Sequence, residues 1–553
     1  MLELGGNAFD AAVASGLVLQ VVEPSSTGIG GEVVILAARV NCNAPDVLCG
    51  QGPAPGSATL ESFASQGFAK IPHRGKVSAV VPGAFGAWLT LLRDYGTLSL
   101  EEVMAPAIYY ASTGCPVTDT LHQEIRWSAK QLASDSAIAA VIYLPKGKPP
   151  AIGDYIRNVA LANAYSAILS ETRSASGREA QINAGIACFY RGYIADAVDS
   201  FVRSGCEAGD DAFSGRGFLT GQDMADWSVV CEKPAQITFG PYTIYKPGAW
   251  SQGPVLLQLL GTLGYQRYSP AEVMTSEHIH LSAEIMKLCY ADREAYYGDP
   301  DFVDVPLDVL LSEGYAEDRR KLAGPNAAQG ICPGKINGRK PKLPSYDEEQ
   351  IAGEYALSPI ERDTSHVSIV DKWGNVASAT PSGGWFWGSP VVPDLGFSLS
   401  TRAEMFWLQP DLASSLRPGS RPRTTIAPTM VFKEGKPILA FGTRGADFSE
   451  QWQFQFLTKY LLAGMSLQDA IESPMFGLQH WPDSEYPRTA KPNLIQIDSR
   501  IDRVVAGELA ARGHRIKTPG AHRLGRICAV SVADGRMRAA VTGRISHYLA
   551  VGR

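Results

Sequence analysis

The chain has 553 residues, 45% of them hydrophobic and 19% charged, with a formal net charge of −6. At about 150 residues per domain this length suggests several domains, although large α/β units also exceed that prior, and the composition is that of a globular protein with ample core material. The acidic balance and the lack of a long basic run argue against nucleic acid and anionic membrane surfaces as partners.

The chain opens MLELGGNAFD, without the basic segment that begins a signal peptide, and as it stands it reads as cytoplasmic. Residues 7–22 (NAFDAAVASGLVLQVV) predict a buried helix that Pro24 ends. Its apolar part is only 12 residues long (Ala11 to Val22), too short to span a bilayer. After the loop SSTGIGGE, the run VVILAARV reads as a buried strand. Residues 98–113 and 278–296 carry helical spacing. Residues 325–350 are rich in Gly, Pro and charge and predict an exposed, poorly ordered connector. The nine cysteines are scattered, with no CxxC pair. Neither a zinc knuckle nor a disulfide framework is indicated, and most should be buried thiols in a reducing compartment.

Beyond the connector the pattern changes. TSHVSIVDKWGNVASATPS reads as strand, turn, strand, with Trp373-Gly374-Asn375 in the turn. A second hairpin, TMVF-KEGK-PILAFG, leads through GTRGAD into a helix beginning FSEQWQFQF. Asp447, three residues before Glu450, predicts a capping box there. The class is α/β in the broad sense (α+β), with antiparallel strands packed on helices.

Counting nine residues either way from the first turn reaches Thr364 and Ser382, whose hydroxyls should meet across the two strands. A threonine hydroxyl needs a base, and the α-amine of a chain-terminal threonine can be that base, with a pKa of roughly 7.7–8.0. Exposing that amine requires cutting the bond between Asp363 and Thr364. On spacing alone, a threonine opening a strand is more commonly structural. Gly445 and Ala446 lie between a strand end and a helix start, where small residues let amide N–H groups approach an oxyanion; an ordinary tight turn is the plainer reading.

Several long motifs resemble the γ-glutamyltranspeptidase family. They are GGNAFDAAVASGLVLQVVEPSSTGIGGE, ADREAYYGDP, DTSHVSIVDKWGNVAS, RPRTTIAPTMV and PRTAKPNLIQIDSRI…LAARGH, in family order along nearly the whole chain. The resemblance implies an αββα sandwich of the N-terminal-nucleophile hydrolases. It implies self-cleavage into residues 1–363 and 364–553, which stay together as large and small subunits of one αββα unit. Thr364 matches the nucleophile and Ser382 its supporting hydroxyl. Gly445 and Ala446 match the oxyanion-hole glycines, and Thr424 and Thr425 match a serine pair that holds the substrate carboxylate. No metal or cofactor is implied; the expected partner is a small-molecule amide, and a further homo-oligomer is left open.

The departures concern substrate. Gln51 stands where the family has its carboxylate-gripping arginine, Met405 where it has an acidic residue for the glutamyl amine, and Gly384 where it has an asparagine. Neutral groups cannot pair those charges. The segment from Met405 to Arg421 also looks short beside relatives with a lid loop. Arg402 and Arg444 are cations the family lacks; they read equally as groups that hold a carboxylate and as surface or ion-pair arginines. Relatives begin with a further strand and part of a helix before GGNA, so the start reads as a truncation that leaves a sheet edge unpaired; an upstream signal would make the protein periplasmic or secreted.

The expected activity is a threonine-nucleophile amidase or acyltransferase that takes a γ-glutamyl-like or other carboxylate-bearing acyl group through an acyl-enzyme and passes it to water or an amine. The alternatives are a true glutathione-cleaving γ-glutamyltransferase and an unprocessed, non-catalytic homologue. Among other residues, the His278-x-His280 pair and His366 read as structural, Asp292, Arg293 and Asp299 as ion-pair members, and Trp385, Phe386 and Trp387 as pocket walls.

Overall fold

The computed structural model describes residues 1–205, 215–348, 364–386, 388–533, 535–544 and 548–552. The strands of its two large sheets are β1 (Glu32–Ala38), β2 (Asp46–Gly50), β3 (Val230–Glu232), β4 (Ala235–Phe239), β5 (Tyr242–Lys246), β6 (Val367–Val370), β7 (Val376–Ser382), β8 (Thr429–Lys433), β9 (Lys436–Thr443), β10 (Ile527–Ala533) and β11 (Arg536–Val541). They form two antiparallel sheets, one ordered β3-β2-β1-β7-β6 and the other β11-β10-β9-β8-β5-β4. The main helices are α1 (Ala8–Val22), α2 (Ala84–Tyr95), α3 (Leu100–Thr113), α4 (Pro254–Leu263), α5 (Ser276–Tyr296) and α6 (Ser449–Leu457).

Strand alternation sorts the side chains into layers. On β1, Val33, Ile35 and Ala37 pack with Phe9, Val13 and Leu17 of α1 and Phe85, Trp88 and Leu92 of α2. Val34, Leu36 and Ala38 point the other way and meet Met430, Phe432 and Ala440 of the second sheet. The outer face of that sheet, with Val431, Leu439 and Phe441, packs on Leu256 and Leu260 of α4, Ile285 of α5 and Phe454 of α6. The result is helix, sheet, sheet, helix, with a separate core between each pair of layers.

The first helix starts one residue later than the sequence suggests. Asn7 is its N-cap, accepting from Phe9 N and Asp10 N, while Asp10 accepts from Asn7 N at 2.8 Å. The capping box expected at α6 does not form. Its cap is Phe448 without a side-chain bond, because Asp447 and Glu450 are drawn into buried ion pairs with Arg293 and Lys246.

The described part of the predicted connector, residues 325–348, has no helix or strand, but it is tied down. Ala328 N donates to Glu284, Gly334 N to Asp292, and Ala490 N donates to Asp347 O. Its composition shows only that it cannot pair with itself; the partners that hold it lie elsewhere in the chain. The described cysteines are all free, and Cys231 and Cys332 are exposed. No helix among the described residues is long and apolar enough to cross a membrane.

Candidate active site

The β6–β7 turn is set by its own residues. The Asp371 carboxylate accepts from Trp373 N and Asn375 N, and it also accepts from Ala8 N at the start of α1. Gly374 takes the positive φ (95°) that this turn demands. The pairing runs from Val370 opposite Val376 through Val367 opposite Ala379, and an isolated bridge continues it to Thr364 opposite Ser382. The two hydroxyl oxygens are 3.0 Å apart. The hairpin arithmetic therefore locates this pair without error.

The register extends across the sheet. Ser382 pairs with Glu32 on β1, and Gln51 directly follows Gly50, which pairs with Val33 beside Glu32. Thr364, Ser382 and Glu32 thus form a row at one end of the first sheet. Glu32 and Ser382 share the phase of the side chains that face the second sheet.

On the opposite sheet, β9 ends at Thr443 and the chain turns through Gly445 and Ala446. Ser378 donates to Phe441 O, and His366 lies against Gly442, so the two sheets advance toward the same end. That end carries Thr364 on one side and the Gly445–Ala446 turn on the other. Gly445 has φ 141°, and a Cβ there would lie 2.4 Å from the Trp452 ring, so only glycine fits. Ala446 is left-handed at φ 47°, a conformation that costs an L-residue roughly 1–2 kcal/mol.

A buried polar network holds this turn. Gln252 donates to the carbonyls of Ala446 (2.8 Å) and Thr425 (3.1 Å) and accepts from Arg293 (2.9 Å). Arg293 also pairs with Asp447, which in turn accepts from Ser484 N and Oγ. Burial opposes ionisation of Asp447, but Arg293 and Ser484 outweigh it and hold the carboxyl below its usual value. Sequence reading pairs Arg293 with acids, as found, but misses Gln252 and Glu32. Neither sits in a pattern that carries chemistry by itself.

The candidate substrate groups fare differently. Arg402 is 1% exposed, and its guanidinium is taken up by Glu32, by Ser382 and by the face of Trp385, 4.6 Å away. Two acceptors and a ring already occupy it, which is the ion-pair alternative of the sequence reading. Arg444 is buried, with its guanidinium 5.7 Å from the Tyr548 ring. Gln51 is fully buried; its Nε2 donates to Gly52 O, and its Oε1 has no hydrogen-bond partner among the described residues. Thr424 bridges Ser251, and its hydroxyl also lacks a partner among the described residues. Among the described residues, Thr425 is tied through its carbonyl to Gln252. Met405 is buried, with Sδ 3.8 Å from Arg402 Nη1.

Trp385 and Phe386 are buried rather than open pocket walls: Arg402 covers the first, and Phe386 packs 4.4 Å from the Tyr143 ring. Asp363 and Trp387 lie outside the described residues. His366 bonds Thr380 Oγ1 (3.0 Å) and Ser368 Oγ (2.7 Å); burial, with a contribution from Lys246, lowers its pKa to about 3. It is neutral and occupied on both nitrogens. His278 and His280 do not form a metal pair, because positions i and i+2 of a helix face apart. His278 packs on Tyr268. His280, Glu284 and His514 bring potential ligand atoms within 4.8 Å, but the rings bond each other at 2.8 Å and Lys287 holds Glu284.

With the geometry in hand, three comparisons decide the family. The gamma-glutamyltranspeptidase family model matches residues 1–548. The chain belongs to the γ-glutamyltranspeptidase family. The glutathione hydrolase proenzyme of Bacillus subtilis (strain 168) is 29% identical over 530 residues, covering 94% of this chain and 83% of the relative. The solved structure of LmbA2991HD is 40% identical with a TM-score of 0.94, covering 100% of this chain and 95% of that one. The crystal structure of cephalosporin acylase from Bacillus halodurans is 28% identical with a TM-score of 0.81, covering 98% and 91%. This γ-glutamyltranspeptidase-family chain is accordingly an enzyme of the hydrolase and acyltransferase class, with an α+β fold of the N-terminal-nucleophile hydrolase type.

Proposed function

We propose that the protein is a self-processing amidase and acyltransferase that uses Thr364 as its nucleophile. The observation that carries this reading is the Thr364–Ser382 hydroxyl pair, 3.0 Å apart at the sheet end that faces the Gly445–Ala446 turn. Cleavage before Thr364 leaves residues 1–363 and 364–553 as large and small subunits and frees the Thr364 α-amine. In turnover, that amine accepts the hydroxyl proton while Oγ1 attacks the substrate carbonyl. The amide N–H groups of Gly445 and Ala446 meet the oxyanion. Collapse expels the amine with a proton, and water or a second amine then releases the acyl group.

The acyl group is proposed to lack the free α-amino-acid end of glutamate. Gln51, Gly384 and Met405 bring no charge to meet it, and Arg402 is already paired. Thr424 and Thr425, with Arg444, are the remaining proposed substrate contacts. Support for amide substrates beyond glutathione comes from the acylase among the similar structures.

On a denaturing gel the 59.3 kDa chain should be replaced by two pieces. The smaller should begin Thr-Ser-His on N-terminal sequencing. A single intact band, identical in wild type and Thr364→Ala, refutes the processing step. Rapid release of the amine from a γ-glutamyl anilide refutes the specificity and returns the protein to the glutathione-cleaving type.

A further inference from the structure

The Thr364–Ser382 contact by itself does not say which hydroxyl donates. The neighbours of Ser382 decide it. Arg402 Nη2 lies 2.6 Å from Ser382 Oγ, and Arg402 Nε lies 2.6 Å from Glu32 Oε1. All three side chains are essentially buried: Glu32 0%, Ser382 0% and Arg402 1% exposed. A guanidinium has five donors and no acceptor, so it can only donate to Ser382 Oγ. The Ser382 proton therefore cannot point at Arg402. Among the described residues, the other polar partner of Ser382 Oγ is Thr364 Oγ1.

We infer that Glu32 and Arg402 form a positioning pair that makes Ser382 a one-way donor to Thr364 Oγ1. The inference rests on the reading of Thr364 as nucleophile. The order of donation is Arg402 to Ser382 to Thr364. Thr364 Oγ1 then has its own proton directed away from Ser382, toward the base that removes it. As that proton leaves, negative charge grows on Oγ1 and meets a hydroxyl already aimed at it. No proton crosses from Arg402, and Glu32 stays ionised; the pair acts by holding direction.

The fold supplies the pair by long-range docking. Arg402 opens a short 3₁₀ turn, Arg402–Met405. Ser400 N, just before it, donates to Gly30 O in the loop leading to Glu32. Gly31 permits the approach: a Cβ there would lie 2.1 Å from Ser382 O. Glu32 belongs to the large piece of the proposed processed form, and Ser382 and Arg402 to the small one, so the row is completed across the two.

The test uses self-cleavage of the purified full-length chain, which needs no knowledge of the substrate. The double variant Glu32→Gln with Arg402→Met removes the donor without stranding a buried charge. It should melt close to wild type yet cleave on the order of 100- to 1,000-fold more slowly, the scale of losing one donor to a developing oxyanion. Its cleavage should recover as pH rises, because deprotonation of Oγ1 is then assisted by solvent base. Arg402→Lys, which keeps a donor, should recover part of the rate. Ser382→Ala should be as slow as the double variant, and adding Glu32→Gln with Arg402→Met to it should cost nothing more, since all act through one hydroxyl. Arg402→Lys, which leaves the Glu32 charge paired, reads the inference should the double variant fold poorly: full wild-type cleavage by it at every pH, with Ser382→Ala equally fast, overturns the inference. A folded double variant that cleaves at the wild-type rate across pH overturns the inference, as does a full additional loss in the Ser382→Ala background. A wild-type chain that does not cleave, or a Thr364→Ala chain that does, overturns the nucleophile reading itself.

Discussion

The two sides of the proposed catalytic end are built in opposite ways. The Thr364 side is a hairpin whose register follows from a turn nine residues away, held by Asp371 within the same segment. The Gly445–Ala446 side is a short turn held by Gln252, Arg293 and Ser484, which come from distant parts of the chain. A local device tolerates change elsewhere in the protein. A long-range one fails when any one partner is lost, because the others remain buried and unpaired.

The largest expected effect breaks the Thr364 side chemically while sparing its structure. Thr364→Ala should abolish self-cleavage and amidase activity with little change in melting temperature, as read by gel, amide turnover and thermal scan. Next comes the opposite side. Arg293→Met should cost about 3–5 kcal/mol in urea unfolding, because Asp447 and Glu294 lose a buried partner. A cost near zero would mean that the turn does not depend on the network.

A third test separates the sides by pH. His366, beside the Thr364 row, has its pKa lowered to about 3 by burial and Lys246. Below about 6.5 the unfolded chain takes a proton that the folded chain refuses. The His366 contribution is thus fully present above about pH 6.5 and is lost as pH falls toward 3. Asp447 on the other side has its pKa lowered as well, but as an acid it begins to lose its contribution only below about pH 3.9. His366→Asn should make the fall in melting temperature between pH 6.5 and 4 shallower, while Asp447→Asn should leave that slope unchanged.

The smallest effect concerns backbone strain. Ala446→Gly should stabilise the chain by up to about 1 kcal/mol in urea unfolding, because glycine adopts φ 47° without the Cβ penalty. A destabilisation would show that the Ala446 side chain packs usefully enough to offset its strain.

What the sequence determined by itself is the set of features that local spacing controls. Helix α1, the two hairpins and the Thr364–Ser382 pair follow from apolar period, turn residues and the count of residues from a turn, and those relations survive whatever packs around them. The ordered motifs identified the family for the same reason, since each is a contiguous string. Only the tertiary structure decided the use of charge. Asp447 looked like a helix cap and became an ion-pair partner. Arg402 read equally as a substrate cation and as an ion-pair arginine, and the choice fell to Glu32, 370 residues away in the chain. Trp385 looked like a pocket wall and lies beneath that arginine. A buried charge goes to whichever partner removes its desolvation cost, and that partner is chosen by packing in space, which no local spacing records.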